Sequence, residues 1–433
     1  MKTPIADWSR SRIKHLAQVD YGLGQPPRLS ESGVPILRAT NINKGKISKA
    51  GLIYASLKDL PLDRAPLLRS GEILVVRSGA YTGDSALITD EWAGSAPGYD
   101  LRVTPERVEP RYLAYCLLSS VAMQQMDIAK GRAAQPHLNA EELGEVIVEL
   151  PELSQQRHIA NFLDVETARI DTLSSLRRTQ STLLDEREYA TVSEILVPGT
   201  LSIPTEIWPW VWLPEMPTDR PLVRLGYVCR LQTGLTVDGK REVSGDVVTR
   251  PYLRVANVQA GRVDLGTLSE ITVPTGIASR STLRAGDVLM TEGGDLDKLG
   301  RGTVWRGEVS KCLHQNHVFA LRPENNRLDA DYLALMTRTV HGRNYFESTG
   351  VKTTNLASTN SNKILSFPIP LPSVTEQRNL ARRAQAALDT IATAGQLLDR
   401  QLKVLSERRQ ALITAAVTGH IDVSTASGRG IEE

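Results

Sequence analysis

The chain has 433 residues, of which 41% are hydrophobic and 23% charged, with a formal net charge of +2. This is an ordinary composition for a soluble chain of two or three domains, and the absence of any run of eighteen apolar residues argues against a membrane span. Met1 to Trp8 has no signal-peptide stretch, so a cytoplasmic location is expected. Cys116, Cys229 and Cys312 are far apart without a CxxC partner, which excludes a zinc ribbon and a disulfide framework and leaves three buried or incidental thiols. Only 5% of residues are aromatic, which speaks against a stacking platform for single-stranded nucleic acid.

The first predicted element is an apolar, alternating run from Val34 to Ile42 that ends at a turn containing Gly45, read as a strand with one buried face. Beside it, Asn43 to Lys49 carries three lysines, either a local basic surface for phosphate or a solvated hairpin tip. Leu68 to Leu74, around Gly71, predicts a turn feeding a buried strand, and Arg77 to Asp84 predicts a polar loop. Tyr112-Leu113-Ala114 marks a helix before the last strand of this part. After Leu150-Pro151, Gln156-Arg157 opens a long helix predicted over 154–194.

The same order then recurs. Arg250 to Val258 with Gly261 repeats the first strand and turn, Leu283 to Leu289 around Gly286 repeats the second, and Tyr332-Leu333-Ala334 repeats the helix. Leu371-Pro372 and Gln377-Arg378 open a second long helix, predicted over 375–415. Gln156 and Gln377 are 221 residues apart (377 − 156), and Glu186-Arg187 and Glu407-Arg408 keep that offset. So long a period marks a duplicated domain-plus-helix unit rather than a solenoid repeat.

The expected divisions are a first domain at 1–150, a long helix at 151–197, a linker and second domain at 198–371, a second long helix at 372–419 and a tail at 420–433. Three tryptophans, Trp208, Trp210 and Trp212, fall in the linker and read as packing residues. Ile159, Leu163, Ile170 and Leu173 form one apolar stripe, with Leu176 and Leu183 beyond. Leu380, Ile391, Leu398 and Leu405 belong to another, spaced by threes and fours as in a coiled coil. Each stripe needs a partner, and the economical pairing is of the two helices with each other, antiparallel; the alternative is that each packs only on its own domain. The expected fold is therefore α+β: two globular domains separated by two long antiparallel coiled-coil helices, with an internal pseudo-two-fold.

Between the copies the framework matches and the loops do not. Arg77 to Asp84 is rich in Gly and hydroxyls, whereas Thr291 to Arg301 carries several acids and Lys298. Two similar scaffolds with different loops point to two related ligands read separately, the alternative being drift in unused surface loops. A phosphate-binding loop, a zinc-protease motif and an Asn-Pro-Pro-aromatic methyltransferase motif are all missing. His314-x-x-His317 has metal-ligand spacing on a helix, but it alternates into a strand, and polar base readers or simple surface groups are the better readings.

Leu150 to Asp171 and Pro370 to Arg378, together with Ser406 to Gly419, resemble the opening and closing of the long helical repeats in DNA-specificity (S) subunits of type I restriction-modification systems. Gln155 stands where that family usually has Glu, and Arg382-Arg383-Ala384 departs from its pattern. The resemblance implies two target-recognition domains, double-stranded DNA as ligand and no chemistry in this chain. Partners would be two modification subunits, which bind S-adenosylmethionine and methylate adenine, and restriction subunits using ATP and magnesium; no membrane is implied. Candidate DNA contacts in the first domain are Arg38, Asn41, Lys44, Lys46, Arg77, Tyr81 and Thr82. In the second they are Arg254, Asn257, Lys298, Arg301, Gln315 and Asn316. Arg38 and Arg254, standing at equivalent places in both copies, suit a structural or phosphate role better than base reading. A scaffold joining two proteins without reading DNA is the alternative, and an enzyme with an unfamiliar site the weakest reading.

Overall fold

The computed structural model describes residues 8–130, 137–202, 220–236, 245–259, 261–294, 299–352 and 357–423; Trp208, Trp210, Trp212 and Lys298 lie outside these. Two compact units emerge, one of residues 1–178 with 399–433 and the other of residues 179–398. Each unit combines one globular domain with half of each long helix.

Both domains are built on a four-stranded antiparallel sheet with the same strand order. It runs Ala17–Tyr21, Leu101–Pro105, Ile73–Val75, Ser85–Leu87 in the first, and Cys229–Thr233, Val318–Pro323, Val288–Thr291, Gly302–Val304 in the second. Ile73, Leu74 and Val75 are all fully buried because the sheet is covered on both faces. Side chains alternate along a strand, so Ile73 and Val75 join Tyr112, Leu113 and Leu117 in one core, while Leu74 and Val76 join Leu37, Leu68 and Ile88 in another.

The turn before this strand explains the shared Leu-Arg-x-Gly-acid-x-Leu pattern. Gly71 and Gly286 have φ of 90° and 92°, left-handed values that cost glycine little. The acid that follows closes the turn: Glu72 accepts from the Arg69 amide and Asp287 from the Arg284 amide, each at 2.8 Å. Each carboxylate also holds an arginine from the neighbouring strand. Arg102 pairs with Glu72 in full burial, and Arg322 grips Asp287 with two bonds of 2.8 and 2.7 Å.

The strand expected over 34–42 is broken. Val34–Ile36 is followed by a 3-10 turn at Ala39–Asn41 and a short hairpin of Ile42–Asn43 with Lys46–Ile47, and the second copy breaks at Val255–Asn257. An asparagine causes each break, as described below. Alternation alone could not distinguish one strand from two short ones joined by such a turn.

First and last strands of each domain pair, Ser9–Arg12 with Ile147–Leu150 and Leu222–Arg224 with Pro368–Pro370, so each domain closes where its long helix begins. The helices run Leu153–Leu196 and Val374–Val417, 44 residues each, or about 66 Å at 1.5 Å per residue. Gln156 and Gln377 tie them to their domains. Gln156, buried, accepts from the Glu109 amide and donates to Pro151 O, both at 2.8 Å. Gln377 repeats this with the Asp329 amide and Pro372 O, and also donates to Arg327 O.

In the first unit, Ile159 and Leu163 near the start of one helix share a core with Ile413, Ala416 and Val417 near the end of the other. Tyr112 seals this junction by donating to Glu149 O and Val417 O. In the second unit, Val192 and Leu196 share a core with Leu380, Ala381, Ala384 and Leu388. Start packs with end in both, an antiparallel pairing.

The seam differs from the expected stripe in its middle. Ile159, Leu163, Ile170 and Leu380 are buried and Ile391, Leu398 and Leu405 half-buried, but Leu173 is 47% exposed, and Leu176 and Leu183 are exposed too. The register of Leu163, Thr167 and Ile170 continues through Ser174, Arg177, Ser181 and Leu184, which are shielded and stand one residue beyond those leucines. A heptad kept in phase from Leu163 thus leaves Leu173, Leu176 and Leu183 on its flank. Leu397 and Val404 are exposed on the second helix. Cys116, Cys229 and Cys312 are free and buried, and burial pushes their thiols up to about 12, 12 and 11. Among the described residues no helix is long and apolar enough to cross a membrane.

Candidate nucleic-acid interface

Several candidate contacts serve the fold instead. Asn41 is fully buried: its carbonyl accepts from the Arg38 amide at 3.1 Å and its amide donates to Ser48 O and Ala50 O. Asn257 repeats the arrangement with the Arg254 amide, Asp264 O and Thr267 O. Every polar group of these side chains is engaged in holding a loop, so neither reads a base while the loop is folded. This organising role is why both copies have Asn there. Thr82 is likewise buried, donating to Gly79 O at 2.7 Å inside its own turn. Arg38 donates to Gly51 O at 2.7 Å, whereas Arg254 is exposed.

The lysine run is partly neutralised. Lys46 reaches Asp171 of the first long helix at 2.8 Å, Lys49 meets Glu91 at 2.8 Å, and Lys44 is exposed in a positive-φ turn. Arg409 of the second helix also approaches Asp171, at 3.4 Å. Lys46 therefore helps seat its hairpin on the helices. Arg301 does the same in the second unit, donating to the Tyr189 hydroxyl of the first helix. The cleft around Arg306, Asp329, Asp331 and Arg378 is similarly internal, with Arg306 paired to Asp331 and Arg378 3.3 Å from Asp329.

The remaining candidates gather at one end of each sheet. Arg77, just past the strand Ile73–Val75, has its guanidinium 4.7 Å from the centre of the Tyr21 ring and 4.4 Å from that of Tyr99. Cation–π attraction to the two rings restrains it, and Nη2 lies 3.0 Å from His137 Nε2. Tyr21, Tyr81 and Tyr99 are 46%, 50% and 50% exposed, so this end of the sheet presents an arginine among aromatic rings to solvent. Gly22 makes the approach possible, since a Cβ there would lie 2.4 Å from Gly98 O. Beneath the cluster, Asp100 accepts from the Arg77 amide at 3.2 Å, and burial raises its carboxyl to about 6.

Glu292 occupies the matching place in the second unit. Arg77 O accepts the amide of Leu138, just before the helix cap Asn139; Glu292 O accepts the amide of Thr359, just before the cap Asn360. Glu292 is hydrogen-bonded to His317 Nδ1, and Gln315 and Asn316 adjoin it, half-buried. His314 faces elsewhere, buried with Nδ1 2.6 Å from Val318 O and held below the usual imidazole range by burial. The two histidines thus do not share a ligand. Composition missed Tyr21 and Tyr99, because a low average aromatic content hides a local cluster, and it missed their neighbour His137. Aligning the copies at Leu74 and Leu289 places Arg77 opposite Glu292, and that signal was available.

Residues 6–179 match the family described as type I restriction modification DNA specificity domain. The specificity subunit of the type I restriction enzyme EcoKI from Escherichia coli (strain K12) is 23% identical over 401 residues, 91% of this chain and 83% of that one. The chain is similar to type I DNA-specificity subunits over most of its length. Another such subunit, StySPI of Salmonella potsdam, is 21% identical over 403 residues, again 91% and 83% of the two chains. Among solved structures, a chain from work on assembly and conformational transition of the type I R-M system aligns with a TM-score of 0.72 at 18% identity, covering 97% of this chain and all of that one. The HsdS subunit of Thermoanaerobacter tengcongensis aligns at 0.53 with 18% identity, over 97% and 99%. These likenesses show the fold shared by specificity subunits, two mixed domains and two long helices.

Proposed function

We propose that the chain is the non-catalytic reader of an asymmetric, bipartite site in double-stranded DNA. Each domain takes one half-site, and the two long helices set the unread spacer. The observation that carries this is the repeated sheet end: one framework, built twice, presents a stacked arginine in one copy and a carboxylate–imidazole pair in the other. Different groups at one framework position suit two different half-sites, read in opposite strand sense as dimeric readers do. Contacts are expected at Arg77, Tyr81, Gln315 and Asn316, with Lys44 and Arg254 toward phosphate. The exposed Leu173, Leu176 and Leu183 of the first helix, and Leu397 and Val404 of the second, are where we place two methyltransferase subunits. Those subunits would bring S-adenosylmethionine, and restriction subunits would bring ATP and magnesium, all in the cytoplasm.

The test is methylation-sensitive sequencing of a host genome with and without this gene beside its methyltransferase partner. One adenine-methylated bipartite motif that appears only with the gene supports the reading. A duplex shift by the assembled complex that weakens with salt should accompany it. Assembly with the methyltransferase but no motif and no shift would favour a protein scaffold.

A further inference from the structure

Resting on that reading, we propose that Arg77 and Glu292 make the two half-sites different. Arg77 selects a guanine through its O6 and N7, and Glu292 selects a cytosine by accepting its N4 amino hydrogen. The geometry begins with shared backbone placement, the carbonyls of both residues receiving the amide that leads into an Asn-capped helix, Leu138 N at 2.8 Å and Thr359 N at 2.7 Å. Whatever the first half-site sets against Arg77, the second sets against Glu292. The side chains are then held for opposite work. The rings of Tyr21 and Tyr99 both lie against the Arg77 guanidinium, their centres 4.7 and 4.4 Å from its carbon, and restrict how it can turn toward a ligand. His137 occupies one side of Nη2 and Nε is sealed without an acceptor, which leaves the terminal nitrogens to donate together. A planar donor pair on a restrained rim matches the two adjacent acceptors of a guanine edge.

Glu292 is the reverse. One carboxylate oxygen is engaged by His317 Nδ1, while its side chain remains 33% exposed. The other oxygen is an acceptor of set direction, which suits the amino donor of cytosine and repels the acceptor edge of guanine. Among the described residues, Thr233 stands where the first domain has Tyr21 and supplies no ring there.

The experiment uses the chain assembled with its methyltransferase subunits and reads both the methylated motif and duplex affinity. Arg77→Lys keeps the charge without the fork; it should relax one guanine position in one half-site, cut discrimination there by about 5- to 150-fold and leave the salt slope unchanged. Glu292→Gln should relax one cytosine position in the other half-site by a similar factor, since its amide turns an acceptor into a mixed group. Unchanged thermal unfolding confirms that each variant is folded; for one that is not, the duplex affinity of the wild-type assembly is measured with inosine and 5-methylcytosine at control positions and 7-deazaguanine or N4-methylcytosine at the assigned ones. A folded pair that leaves both motifs intact overturns the proposal, as do assigned-base analogues that bind as tightly as the unmodified site. So does an Arg77→Ala variant whose affinity falls equally on all sequences with a salt slope reduced by about one, which marks a phosphate contact. In each case the wild-type bipartite motif stands, and the broader reading fails only if wild type has none.

Discussion

At the residue scale, the two turn acids show how similar positions carry different energetic weight. Losing Glu72 leaves Arg102 buried with Pro66 O as an acceptor at 3.2 Å, whereas Arg322 beside Asp287 is 28% exposed and can turn to water. Glu72→Ala should therefore cost about 3–5 kcal/mol, the usual cost of orphaning a buried charge. Asp287→Ala should cost about 1–3 kcal/mol. Urea unfolding of both variants checks this, and equal losses would show that burial of the partner is not what matters. Asp100 gives a pH prediction. Its folded carboxyl, raised by burial to about 6 from 3.8, holds its proton more tightly than in the unfolded chain, so its contribution is intact below about pH 4 and lost as pH rises through 6. Asp100→Asn should stabilise the protein at pH 7 to 8 by up to about 3 kcal/mol, at 1.36 kcal/mol per pKa unit. It should have little effect near pH 4; an equal effect at both pH values would refute the assignment.

At the element scale, each long helix begins on a glutamine that does two things at once, accepting from a domain helix cap and donating to its own preceding proline carbonyl. Gln377→Leu should cost about 1–3 kcal/mol by leaving the Asp329 amide and the Arg327 carbonyl without partners. Hydrogen exchange should quicken first at the Asp329 amide, and unaltered exchange there would mean the staple is dispensable. The same helices supply a test of spacing. Inserting four residues near Ser174 adds about 6 Å and roughly one turn, which should lengthen the preferred spacer by about one or two base pairs at ~3.4 Å per step. Two inserted residues should instead turn the stripe of Leu163 and Ile170 away and weaken assembly. A stable four-residue variant with an unchanged spacer would show that something else sets the distance.

At the scale of the whole molecule, duplication gives each unit its own sheet, its own cores and its own sheet-end cluster. Recognition should accordingly be modular. Replacing residues 1–150 with the corresponding domain of another specificity subunit should change one half-site of the methylated motif and preserve the other. Simultaneous change of both would mean that the domains do not read independently.

The sequence by itself determined the repeat, the turns at Gly71 and Gly286, the helix starts after Pro151 and Pro372, and the likeness to specificity subunits. All of these rest on signals that act within a few residues or recur at a constant offset: a left-handed φ, a helix-opening glutamine, an apolar spacing. Only the tertiary structure decided which polar residues are free to meet a ligand. Asn41 and Lys46 look like surface groups in the chain, yet one closes a loop and the other meets Asp171 more than a hundred residues away. Tyr21, Arg77, Tyr99 and His137 carry no shared local signal, and they converge because strand register brings four distant segments to one sheet end. The flank position of Leu173 has the same origin, since helical phase is set by what packs at Leu163 and Ile170 and not by where leucines are most frequent.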